Sequence, residues 1–224
     1  YQFASPKTLI GIEVEVENIL KIDPNLTLMF WGSKNDGSLR NNGIEFVTHP
    51  CTLAFHQKEF PWAALLGILR NHDALPHERC GLHVHASKAG MGDWQSTTTN
   101  MAYILDNHYD SFAKLSRRLR RNLDCWAAAP HAFLGHISVD GFEYTSKSKC
   151  GVLAVKSLIP TVEFRLFNTT LKVFNVIAAI ECYDLLLKFG MQLTRAQAKA
   201  LTWEQFVSAA IGYPTLPLYI TKHS

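Results

Sequence analysis

Apolar and polar residues alternate over residues 8–17, where Ile12, Val14 and Val16 separate Glu13, Glu15 and Glu17 in "GIEVEVEN". A period of two predicts a strand with one oily face and one acidic face. "LTLMFWG" (26–32) is an apolar run rich in aromatic and branched residues and predicts a second strand, with "NDGS" (35–38) as a turn. "GIEFVTHP" (43–50) reads as a short strand stopped by Pro50. The period becomes helical over 52–72, with a break or fresh start at Pro61. "CGLHVHAS" (80–87) is again a strand. Residues 97–122 read as helical, with Met101, Ile104, Leu105, Tyr109, Phe112, Leu115 and Leu119 along one side. Residues 124–141 fit no simple period. Residues 150–168 read as two strands flanking Pro160, and 172–189 as a helix. Capping boxes pair Thr194 with Gln197 and Thr202 with Gln205, and Gly212 and Pro214 close the second of these last helices.

Strands and helices do not alternate steadily, which argues against a doubly wound parallel sheet. Polar residues on one face of several strands fit an α+β fold: a mainly antiparallel sheet with an open polar face and helices on the other. No linker divides the chain, so a single domain over 1–224 is expected, and 224 residues suffice for one core. Five widely spaced cysteines give no disulfide framework and no zinc-ribbon spacing. "YQFASPKTLIG" lacks the features of a signal peptide and no apolar run reaches membrane-spanning length, so a cytoplasmic protein with no membrane partner is expected. A net charge of +3 does not argue for nucleic acid. The basic run "SRRLRRN" (116–122) is the exception, but no stacking-aromatic pattern accompanies it.

The candidate chemistry lies on the strands. Glu13 and Glu15 share a face, as do His83 and His85, and Glu163 and Arg165; Val14, Val84 and Phe164 stand between them. Glu45 lies between Ile44 and Phe46, and Asp36 sits in the preceding turn. Taken singly, each piece is ordinary: a solvated sheet face, a hydrogen-bonded histidine, a surface ion pair of little energetic value, a turn residue. Together they are harder to dismiss. If the oily faces all pack on helices, the carboxylates converge on one side and need cations or protons. Such a donor set suits Mg²⁺, and the histidines tilt it towards Mn²⁺. No cysteine joins the set apart from Cys80 just before the His pair, which argues against structural zinc.

Four segments in order, "GIEVE", "DGSLRNNGIEFVTHP", "CGLHVHAS" and "TVEFRLFNTT", resemble the amidoligase family of the carboxylate–amine ligase superfamily that includes glutamate–cysteine ligase and glutamine synthetase. The resemblance runs from about residue 9 to residue 175, with a looser match over the helix and arginine-rich segment around 100–126. It implies a curved antiparallel sheet of the glutamine-synthetase-like kind, whose concave face holds ATP and two or three divalent ions, Mg²⁺ or Mn²⁺. It implies phosphorylation of a carboxylate substrate by ATP and displacement of phosphate by an amine substrate, which leaves an amide. Under it, Glu13, Glu15, Glu45, His83 and Glu163 bind metal, and Asp36 flanks the amino-acid or metal site. Arg165 lies near the transferred phosphate or substrate carboxylate, and His85 or a carboxylate serves as base. Arg117 and Arg118 of the basic run are the ones expected to meet ATP or substrate. Lys149 and Lys156 read first as ordinary surface lysines, with phosphate contact as the second reading. Glu17 receives no role and reads as a rim or solvated residue. The chain departs from the family at His49, and 124–149 matches poorly. A metal-dependent hydrolase using His83 and His85, or a non-catalytic binder of nucleotide and metal on the same fold, are the alternatives. A cupin would need a glutamate shortly after the His pair, and "HVHASKAG" has none.

Overall fold

The computed structural model describes residues 8–19, 32–35, 39–130, 137–138, 141–142, 151–156 and 158–223. Its centre is a six-stranded sheet made of β1 (Ile10–Val16), β2 (Gly32–Asn35), β3 (Ile44–Val47), β4 (Gly81–Ser87), β7 (Leu153–Val155) and β8 (Thr161–Asn168), in the spatial order β2-β3-β1-β4-β8-β7. Every neighbouring pair is antiparallel. A separate two-stranded ribbon joins β5 (Ile137–Ser138) and β6 (Gly141–Phe142). The strand expected over 26–32 falls mostly outside the described residues, and β2 begins at its last residue, Gly32.

Alternation decides which face is buried under helices. Ile10, Ile12, Val14 and Val16 of β1 are fully enclosed, as are Leu82, Val84 and Ala86 of β4 and Val162, Phe164 and Leu166 of β8. This face packs on α6 (Val173–Gln192), a 20-residue helix buried on nearly every side because other helices flank it. These are α1 (Leu53–Lys58), α2 (Trp62–Asn71), α3 (Trp94–Asn107), α8 (Trp203–Ala210) and α9 (Leu216–His223), while α7 (Arg195–Ala200) packs on α3. Tyr183 of α6 stacks on Phe164 with ring centroids 5.2 Å apart, and its hydroxyl donates to the Val162 carbonyl at 2.9 Å. Burying the ring this way is worth about 1.5–3 kcal/mol, and the hydroxyl keeps a partner inside the core. Glu181, fully buried on the same helix, accepts from the Thr215 and Leu216 backbone N–H groups and from Gln57, so one carboxylate ties α9 and α1 to α6.

Pro61 separates α1 from α2, as its position suggests. The helix read over 97–122 is in fact three: α3, α4 (Tyr109–Ser116) and α5 (Arg120–Trp126). No proline or glycine marks either break. At the first, His108 donates from Nε2 to the Leu201 carbonyl at 2.7 Å. At the second, Arg117 adopts the left-handed region at φ 59° and turns the chain inwards. Both capping boxes form, with the Thr194 and Thr202 hydroxyls accepting from the Gln197 and Gln205 N–H groups. No helix among the described residues is long and apolar enough to cross a membrane.

Candidate active site

The polar face of the sheet gathers residues from four strands, and cross-strand register does the gathering. Glu13 lies directly opposite His83, Glu15 opposite Glu45, and His85 opposite Glu163. β8 carries a bulge: Leu82 pairs with Phe167 and Val84 with Phe164, so Arg165 and Leu166 together face His83. Bulges re-aim side chains next to functional sites, and this one sets Arg165 beside Glu163.

The side chains form a continuous chain of contacts. Arg165 Nη1 donates to Glu163 Oε1. Glu163 Oε1 is 3.2 Å from His83 Nδ1, which is also 3.3 Å from Glu13 Oε2. The other Glu13 oxygen lies 3.2 Å from His85 Nε2. Glu15 is 5 % exposed; its Oε2 accepts the Gly81 N–H at 2.5 Å and its Oε1 lies 3.8 Å from His83 Nε2. Burial alone would raise the Glu13 carboxyl, but the bonds and charge of His83 and His85 outweigh it and hold Glu13 well below the usual carboxylate range. Burial alone would lower the His85 imidazole, and the Glu13 carboxylate, with Glu163 and Glu45 further off, reverses the shift and raises it.

Glu13, His85 and Glu163 each offer an atom within 4.8 Å of the others. Two donors about 2.0–2.5 Å from one ion lie at most about 5 Å apart, so the set fits a divalent cation by distance. Two carboxylates and an imidazole fit Mn²⁺ or Mg²⁺ by type. Glu15 and Glu45 face each other buried, and the register sets Lys34 of β2 opposite Glu45 on its other side. The resemblance assigns metal to His83, whereas this geometry groups His85 with the two glutamates and leaves His83 bridging three carboxylates. Burial pushes the Cys80 thiol up to about 12, and its Sγ donates to the Leu75 carbonyl at 3.9 Å.

The arginine run divides. Arg118 is 7 % exposed, donates from Nε to the Leu166 and Phe167 carbonyls at 3.2 Å, and lines a pocket with Arg165, Glu15 and His83. Arg117 faces the other way: it is exposed beside Tyr219 and His223 of α9. Arg120 and Arg121 form exposed pairs with Asp110 and Glu78. Lys156 is exposed just past β7, its carbonyl accepting the buried Lys88 ammonium. Asp36 and Lys149 lie outside the described residues.

Glu17 corrects the sequence reading. It is not solvated: at 1 % exposure it is the most buried of the three glutamates of β1 and its end. It accepts the Arg40 N–H at 3.0 Å and pairs with Arg79 at 3.3 Å. Arg79 and Trp126, absent from the sequence-based set, line the same pocket as Arg118. No alternation signals Arg79, because it sits in the turn before β4 begins at Gly81.

No protein-family model matches the chain, and neither does any curated protein. Among solved structures, a bifunctional glutathione synthetase from Pasteurella multocida shares the fold, with a TM-score of 0.51 at 11 % identity. The likeness covers 97 % of this chain and 46 % of that one, so this chain spans less than half the length of its structural neighbour.

Proposed function

We propose that this chain is an ATP-dependent carboxylate–amine ligase on a glutamine-synthetase-like sheet. It would transfer a phosphoryl group from ATP to a carboxylate and let an amine displace phosphate, releasing ADP. The observation that carries this reading is the cluster of Glu13, His83, His85, Glu163 and Arg165 on one open face of an antiparallel sheet. The fold likeness supports it: glutathione is a tripeptide, and a synthetase of it joins carboxylates to amines.

Glu13, His85 and Glu163 would hold a Mg²⁺ or Mn²⁺ ion, which screens the repulsion between a polyphosphate and a carboxylate. Arg165, clamped by Glu163, would stabilise negative charge on the transferred group. Glu13 orients both imidazoles. The proton lost by the amine would pass to His85 or, where that ring is a ligand, to a carboxylate of the same face. A second reading, a metal-dependent hydrolase, draws on the contact of Glu13 with both histidines, since an open His–His–carboxylate set also activates water.

The test is purified protein with ATP, Mg²⁺ or Mn²⁺, a panel of acids and hydroxylamine. Release of ADP and phosphate with a trapped hydroxamate is expected. AMP with pyrophosphate, or hydrolysis of substrate without ATP, would overturn the ligase reading. Glu13→Gln and Glu163→Gln should each lower turnover beyond the ~10–100-fold that loss of an outer metal partner costs, with an unchanged circular dichroism spectrum. Full activity in either removes the cluster from the mechanism.

A further inference from the structure

One end of the polar face closes into a pocket lined by Glu15, Arg79, His83, Arg118, Trp126 and Arg165. It brings three guanidiniums together, and each keeps a buried N–H without a partner among the described residues: Nε of Arg79, Nη1 of Arg118 and Nε of Arg165. One further nitrogen of each side chain is committed. Arg79 Nη2 is held by the buried Glu17 carboxylate, Arg165 Nη1 by Glu163, and Arg118 Nε by the two carbonyls at the β8 bulge. Glu15 is the one carboxylate in the lining, and the Gly81 N–H already occupies one of its oxygens.

Arg118 is the sharpest case. It is 7 % exposed, and no carboxylate among the described residues hydrogen-bonds to it. Burial pulls it down to about 10, although Glu15 acts the other way. A buried cation with an idle donor is costly unless an anion meets it. The room between these side chains is small. It excludes a nucleotide base, and a carboxylate or phosphoryl group would enter it by a single oxygen.

We propose that this pocket is an oxyanion subsite that takes one carboxylate or phosphoryl group of a substrate, with Arg118 and Arg79 as its donors and Glu17 as the residue that positions Arg79. Its place in catalysis rests on the ligase reading; its affinity for an anion does not. Glu17 fixes one arm of the Arg79 fork, and the same side chain lines the pocket. Arg79 thereby becomes a specificity-determining residue: a substrate lacking the anion would leave the pocket's idle donors unmet.

The test uses the full chain stripped with EDTA, at constant ionic strength, with the Trp126 indole NMR signal as reporter, identified by Trp126→Phe. Glutarate and inorganic phosphate are titrated separately to on the order of 10 mM, past the weak end of ordinary ligand affinity. At least one should give a saturable shift. Glutarate alone assigns the pocket to the acid substrate, and phosphate alone assigns it to the phosphoryl donor. The double variant Glu17→Gln/Arg79→Gln leaves no lone buried charge and should weaken binding at least tenfold. Arg79→Lys, which keeps the charge and loses the fork, should weaken it several-fold. No shift with either anion in the wild type, or equal affinity in the folded double variant, would overturn the proposal and leave Glu17–Arg79 as a structural pair. ADP release measured on the same sample keeps the two readings apart. Binding without turnover would sink the ligase reading alone, and turnover without binding would sink the subsite alone.

Discussion

His56 sits under the sheet in one tautomer. Its Nε2 donates to the Ile10 carbonyl at 2.9 Å, its Nδ1 is buried without a partner, and its ring stacks on Trp62 at 5.8 Å. Burial lowers its pKa below the ordinary 6.5, with the Ile10 bond opposing. The unfolded chain therefore binds a proton near that value before the folded one does. The stability from neutral His56 is complete above about pH 6.5 and is lost as pH falls towards the folded pKa, at up to about 1.4 kcal/mol per pH unit. Urea midpoints from pH 7.5 downwards should fall more steeply for the wild type than for His56→Gln; parallel curves would mean that the ring titrates normally. Gly81 is a second single-residue constraint. A methyl there would stand 2.1 Å from His83 Nε2 and 2.7 Å from an Arg118 nitrogen, whereas at Gly32 nothing lies within 4 Å. Gly81→Ala should cost about 1–3 kcal/mol and weaken Mn²⁺ affinity measured by calorimetry, with Gly32→Ala near neutral in both. The sequence shows that Glu17 shares a face with Glu13 and Glu15. It does not show that Arg40 and Arg79 close over that end, because those contacts join residues 23 and 62 positions away.

At the scale of elements, the sequence was readable where a local signal governs and silent where distant packing does. β1, β4 and β8 follow from alternation because one face is wholly buried. The capping boxes follow from residues three apart. The breaks after Asn107 and Ser116 carry no such signal; they answer to the Leu201 carbonyl and to the bulge that Arg118 satisfies. The bulge itself was invisible, yet it decides where Arg165 points. α8 offers a test of how local the capping effect is. Its Thr202 cap is exposed, while Phe206 behind it packs edge-on against Phe112 at 5.1 Å. Thr202→Ala should cost about 1 kcal/mol and Phe206→Ala about 3–5 kcal/mol, read as shifts in urea midpoint. Equal costs would contradict the division between cap and core.

For the molecule as a whole, the polar face gathers carboxylates whose repulsion a cation would relieve. Glu13, Glu15, Glu45 and Glu163 lie on one face, against His83, His85, Arg165 and Arg118. An ion held only by the folded sheet stabilises it by about 2.7 kcal/mol at a hundred times its dissociation constant. Thermal melting should therefore rise with added Mn²⁺ or Mg²⁺ and return with EDTA, and Glu13→Gln should abolish the rise. An unchanged melting temperature in the wild type would mean that the face balances its own charge. The residue types of this site were legible from strand parity alone. Which of them touch was not, because β1–β3, β1–β4 and β4–β8 register is set by the whole sheet.

That register also fixes an order of events. β1 meets β4 some 70 residues on, and β4 meets β8 some 78 residues further, as Glu13–His83 and His85–Glu163 show. Pairings so distant in sequence are slow to form, since the loop entropy is lost before any contact returns it. A nascent chain emerging from a ribosome would carry Glu13 and both histidines long before Glu163 arrived. The set proposed to hold an ion therefore exists only once the last long strand has docked, and under that proposal metal capture would be a clock for completed folding: stopped-flow refolding should show Mn²⁺ binding in the slowest phase, never in the first.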